Sequence, residues 1–107
     1  MTARIVKEAV SRERIRQIPR GFSWVDHRLV REHYIEKCSH RALALYLFLV
    51  TVSDAQGLSW WSEGSLASRL GTDASGIRQA RTELQAADLV AFEQPVWQVL
   101  DLRGGAR

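Results

Sequence analysis

The stretch SEGSLASRLGTDASGIRQARTELQAAD, residues 62 to 88, decides how the chain folds. Its first half predicts a helix over Glu63–Leu70. Ser62 stands before it, where a hydroxyl can accept the free N–H groups of a first turn. Leu66, Ala67 and Leu70 recur three or four apart and so share one face. Gly71 then supplies the left-handed stop common after a helix. Thr72 or Asp73 can cap a second helix over residues 74 to 87, whose apolar members are Ile77, Ala80, Leu84 and Ala87. Its other face carries Ser75, Arg78, Gln79 and Thr82. A short capped helix, a glycine-containing turn and a longer helix with a polar outer face make a helix-turn-helix pattern. A plain helical hairpin within a helical core fits the same spacing, and the local pattern alone leaves both readings open.

The chain on either side narrows the choice. Residues 1 to 21 are a basic arm or helix, with Ile5, Val6, Ala9 and Val10 toward one side and an end at Pro19. The aromatic GFSWV leads into a short helix over residues 26 to 35, with Asp26 as cap and Leu29 and Val30 turned inward. From Ser39 or His40 begins RALALYLFLVTVSD, apolar nearly all round, as in a helix buried on more than one side. Residues 55 to 57 form a turn, and 58 to 61 a short extended piece. Beyond Asp88, residues 89 to 92 and 96 to 102 are rich in β-branched, aromatic and aliphatic side chains, the signature of two strands. Between them Glu93-Gln94-Pro95 makes the hairpin turn, since proline has no N–H for a ladder. The tail RGGAR is expected to be flexible. The order helix, strand, helix, helix, strand, strand predicts a mainly α fold with a small antiparallel sheet, in winged helix-turn-helix arrangement over residues 22 to 102. The third strand gives the hairpin a reason to persist. The expected centre is Leu43, Leu47, Leu49, Leu66, Leu70, Ile77, Leu84 and Leu89.

The 107 residues suffice for one domain. At 46% hydrophobic and 25% charged the chain is not of the disordered class. Cys38 is the only cysteine, which excludes an internal disulfide and suits a reducing cytoplasm. The longest apolar run, residues 42 to 50, is too short to span a bilayer, and the first 20 residues lack the continuous apolar block of a signal sequence. Net charge is +3 and unevenly placed. Residues 1 to 20 hold six basic residues against two acidic ones, a balance of +4; residues 55 to 107 hold five against six, or −1. A basic front end suits an anionic partner such as nucleic acid; a solvated arm explains the same charges.

The quoted segments resemble the winged helix-turn-helix domains of bacterial replication initiators and DnaD-like proteins, and small helix-turn-helix proteins of bacterial mobile elements. The residues that carry this are 42 to 49, Asp54, Gly57, Ser62, 66 to 71 and 80 to 90. The resemblance implies a non-catalytic DNA-binding protein, a regulator or an accessory of replication or transposition, with duplex DNA as partner. It departs at three places, the first being Arg81, which falls where an aliphatic residue is commoner. Recognition helices of this kind usually open with several Arg, Lys, Thr or Ser, whereas this one opens Ala74-Ser75-Gly76; a DNA-touching wing usually carries Lys or Arg, whereas this one carries Glu93-Gln94-Pro95. A protein–protein adaptor that uses the fold without touching DNA is therefore the alternative.

In the DNA reading, Arg78 suits a guanine edge and Gln79 an adenine edge. Ser75 and Thr82 can reach phosphate or bases, and Ser62 and Ser65 suit a phosphate at a helix start. Arg12, Arg14, Arg16 and Arg20 supply sequence-independent attraction. A solvated helix face is the plainer explanation of the same residues. Reading heads often come in pairs, which suggests a homodimer through the N-terminal segment. His33, Cys38 and His40 lack the four-ligand set of structural zinc. Ser23, Asp26 and His27 are not ordered as nucleophile, base and orienter, and no phosphate-binding glycine loop occurs. The expectation is no enzyme, no metal and no cofactor. Trp24, Trp60, Trp61 and Trp97 can stack on single-stranded bases, though core packing suits most of them better. Neighbours on a strand alternate faces, so one of Trp60 and Trp61 should be partly exposed or covered.

Overall fold

The computed structural model describes residues 7–103. Among them are four α-helices and a small three-stranded antiparallel sheet, a mixed α/β layout compatible with a winged-helix arrangement. The arm is not a helix over residues 7–20. It makes a single 3-10 turn at Arg12–Arg14 and is otherwise extended or irregular, with every side chain exposed. With glutamates and arginines interrupting its apolar residues, it has no continuous helical stripe to dock on the folded unit. Arg4, Ile5 and Val6 of the expected arm helix, and residues 104–107 of the expected tail, lie outside the described residues.

Helix α1 spans only Arg28–Arg31. His33, in the left-handed conformation (φ 66°), breaks the expected longer helix, and Tyr34–Lys37 continues as a 3-10 turn. Leu29 is buried as expected, but Val30 is 64% exposed, because one helical turn can aim only one side at the core. Asp26 accepts the Arg28 N–H at 2.8 Å, as a start signal should.

Helix α2, His40–Val52, begins at Ser39, whose Oγ accepts the Ala42 N–H. It buries Ala42, Leu45, Tyr46, Leu49 and Val50, a stripe at helical spacing. The expectation of burial all round is corrected here. Leu47 lies on the opposite face, 61% exposed, and Leu43 is half-buried. α2 packs on α4 and the sheet from one side.

The turn after α2 is built by Asp54, whose carboxylate accepts the Gln56 and Leu58 N–H groups. Gly57 follows at φ 87° with its α-carbon facing β3; a Cβ there would lie 2.5 Å from the Val99 carbonyl oxygen. Strand β1, Leu58–Trp60, pairs with β3, Val96–Val99, which also pairs with β2, Val90–Glu93. The order is β1-β3-β2, all antiparallel. Trp97 on the central strand is 1% exposed and donates its indole N–H to the Trp61 carbonyl at 3.1 Å. Trp61 is half-buried, edge-on against Phe48, while Trp60 is 75% exposed. The alternation expected of this tryptophan pair therefore appears.

Helices α3, Glu63–Leu70, and α4, Ala74–Ala86, pack on each other and on α2, and α4 also meets β2. α3 ends at Gly71 (φ 70°). α4 ends with Asp88 at φ 62° and the Leu89 N–H turned back to the Leu84 carbonyl, a Schellman closure without glycine. The core gathers Leu45, Leu49, Leu66, Ile77, Leu84, Leu89 and Trp97. Among the described residues, no helix is long and apolar enough to cross a membrane.

Candidate nucleic-acid interface

The phase of α4 is set by its caps and its buried stripe. Asp73 accepts the Gly76 N–H at 2.8 Å, and Gly76, Ile77, Ala80 and Leu84 turn inward. Ser75, Arg78, Gln79 and Thr82 are left outward and exposed, so the structure brings these four expected residues onto one face.

Each is constrained differently. The Arg78 guanidinium donates to one oxygen of Glu63 at 3.0 Å while remaining half exposed. The other Glu63 oxygen accepts from Arg81 at 3.1 Å. Arg81 is only 17% exposed and lies over the rings of Phe92, at 4.4 Å, and Trp97, at 5.6 Å. Its place among apolar positions of the sequence is thereby explained: the guanidinium stacks between α4 and the sheet and takes its counter-charge from α3. Thr82 donates its hydroxyl hydrogen to the Arg78 carbonyl at 3.0 Å, which leaves it an acceptor only. Gln79 Oε1 accepts from Arg41 Nη2 at 2.8 Å.

Ser62 and Ser65 meet each other. Ser62 Oγ accepts the Ser65 N–H at 3.0 Å and donates to Ser65 Oγ at 3.0 Å. Both side chains remain exposed at the start of α3. The arm meets the folded unit where Ser23 donates to the Thr51 carbonyl at 3.4 Å. That is the opposite end of α2 from Arg41, about 15 Å along the axis at helical rise. Among the described residues, no hydrogen bond or ion pair joins Arg12, Arg14, Arg16 or Arg20 to α4.

Three participants escaped the sequence reading. Arg41 hides in the first turn of an apolar helix. Glu63 carries two arginines at once. Glu83, on α4, accepts from both the N–H and the hydroxyl of Ser39, at 2.6 and 2.9 Å, and so fastens the start of α2 to α4. No spacing signals these long-range partners; only a charged residue inside a hydrophobic run, at Arg41, offers a hint.

The residues weighed for other chemistry lie elsewhere. His33 binds Glu36 through Nδ1 at 2.8 Å. Burial, then the Glu83 carboxylate, push the Cys38 thiol above its ordinary pKa, which disfavours the thiolate. Among the described residues, no three His, Cys, Asp or Glu side chains group as metal ligands would. Comparison with family models, with curated proteins and with solved structures finds no match for this chain.

Proposed function

We propose that this chain is a non-catalytic protein that binds duplex DNA through α4, as a helix-turn-helix whose β2–β3 hairpin stands where a wing would. The observation that carries the proposal is the outward row of Ser75, Arg78, Gln79 and Thr82 on a helix rooted by a fully apolar inner stripe. A helix about 10–12 Å across fits a major groove about 12 Å wide. Arg78 keeps donors beyond the one given to Glu63, and the carboxylate sets the direction in which they point. The acidic tip at Glu93 repels phosphate, so affinity falls to α4 and the arm. On the resemblance of its motifs, the setting proposed is regulation or an accessory role in replication or a mobile element, in the bacterial cytoplasm. A homodimer through the arm belongs to the same proposal, since Val10, Ile15, Ile18 and Phe22 are exposed there.

A protein–protein adaptor is the second reading. The exposure of Trp24, Leu47 and Trp60, at 73, 61 and 75%, favours it, because large apolar side chains in water suit a partner surface. Fluorescence anisotropy with a random duplex at two salt concentrations, followed by selection of preferred duplexes, separates the two. The DNA reading expects salt-sensitive binding, and Arg78→Ala losing roughly 1–3 kcal/mol on the selected duplex with little change elsewhere. Absence of duplex binding at low salt would overturn it in favour of the adaptor.

A further inference from the structure

The guanidinium of Arg41 lies against the exposed face of α4. Nη2 donates to Gln79 Oε1 at 2.8 Å, and Nη1 sits 3.5 Å from Thr72 Oγ1. A side chain on residue 76 would intrude on this position. A Cβ on Gly76 would lie 2.8 Å from Arg41 Nη1 and would collide with Thr72 Oγ1. A glycine, a poorer helix former than alanine, thus leaves open the seat for an arginine from another helix.

The seat decides which way the Gln79 amide faces. Arginine has donors and no acceptor, so the amide oxygen must turn toward Arg41 and the NH2 group away from it. A bidentate bond to adenine needs the oxygen and the NH2 of one glutamine side by side on the same base edge. Oε1 keeps a second lone pair, but the guanidinium held 2.8 Å from it repels a donor such as the N6 amino group of an adenine edge and favours acceptors. What this point of α4 offers best is the pair of N–H donors, beside a positive charge. Among base edges in the major groove, guanine presents two acceptors, N7 and O6, and no donor.

We infer that Arg41 is a specificity-determining positioning residue: it orients the Gln79 amide and sets a positive charge beside it, so that this point of α4 selects guanine over adenine. The inference rests on the duplex-binding reading above and replaces the adenine preference expected for a free glutamine. Selection from a randomised duplex pool, run on the full chain and on Gln79→Ala, Arg41→Met and Gly76→Ala, tests it. Gln79→Ala identifies the contacted base pair as the one that loses its preference. At that pair the unaltered chain is expected to select guanine. Arg41→Met should move the preference to adenine and lower affinity for the guanine duplex about tenfold. Gly76→Ala should do the same, because the new methyl displaces the guanidinium while every polar side chain is kept. Adenine selected by the unaltered chain overturns the inference and leaves duplex binding standing. So does an Arg41→Met chain that binds every duplex equally less well with its preference unchanged, since Arg41 would then only neutralise phosphate. If the unaltered chain binds no duplex, the parent reading falls, and this one with it.

Discussion

Asp26 and Arg28 are two residues apart, yet their side chains meet through three contacts of 2.7 to 3.2 Å. Arg28 also donates from Nη1 to the Leu102 carbonyl at 2.8 Å, so one guanidinium joins the start of α1 to the segment that follows β3. The side-chain bond from Arg28, then the Arg28 backbone N–H, lower the Asp26 pKa from 3.8 to about 2. A carboxylate whose pKa is depressed by folding stabilises the fold above its unfolded value and loses that contribution as pH falls toward the folded one. Asp26→Asn should therefore melt earlier at neutral pH, and should lose less further stability between pH 4 and 2 than the unaltered chain. Thermal melts across that range check this; parallel acid limbs would show that the pair contributes nothing. Spacing suggested Asp26 as a cap, and that much was legible. Its guanidinium partner's second bond, 74 residues away, was not.

At the level of elements, the helices differ in how far they could be read. α3 and α4 carry their own punctuation in Ser62, Gly71 and Asp73, and amphipathic spacing fixed their inner faces. The sheet was legible for a similar reason, because Pro95 and the tryptophan pair mark the turn and the alternation. α2 was not. Where nearly every residue is apolar, composition announces a helix but not its rotation, and the rotation comes from what packs on it. Hence Leu47, expected at the centre, faces out, and Leu45, absent from the expected centre, is fully buried. Leu45→Ala should destabilise the fold by roughly 2–5 kcal/mol, from lost apolar burial and the cavity left behind. Leu47→Ala should change it by about 0.5 kcal/mol or less, as surface substitutions do. Urea titrations of both variants test the rotation directly; equal losses would contradict it.

On the scale of the whole molecule, the densest block of basic residues lies in the arm and not on α4. Six of the fifteen basic residues fall in the first 20 positions, and the described ones are exposed. Each phosphate neutralised on a duplex steepens the salt dependence of affinity by about 0.9 in logarithmic slope. Replacing Arg12, Arg14, Arg16 and Arg20 with alanine should therefore flatten that slope by at most about 3 to 4, weakening all duplexes alike, while Glu93→Ala alters it little. Anisotropy titrations over a salt series measure both, and an unchanged slope would place the electrostatic footprint elsewhere. The basic arm was plain in the sequence because charge needs no fold to be counted. The clamp of Arg41 on Gln79 was not, since it joins positions 38 residues apart across a helix-helix contact.

The unequal shielding of the four indoles makes the chain its own optical reporter. Trp24 and Trp60 face water and are expected to emit at longer wavelength, open to any dissolved quencher, whereas Trp97, sealed on the central strand with its N–H bonded to a carbonyl, is expected to emit from a site shielded from water. Contact at the exposed rings thus dims one band while leaving the other in place, and unfolding merges the two. Binding and denaturation are spectrally distinct in this molecule without any attached dye.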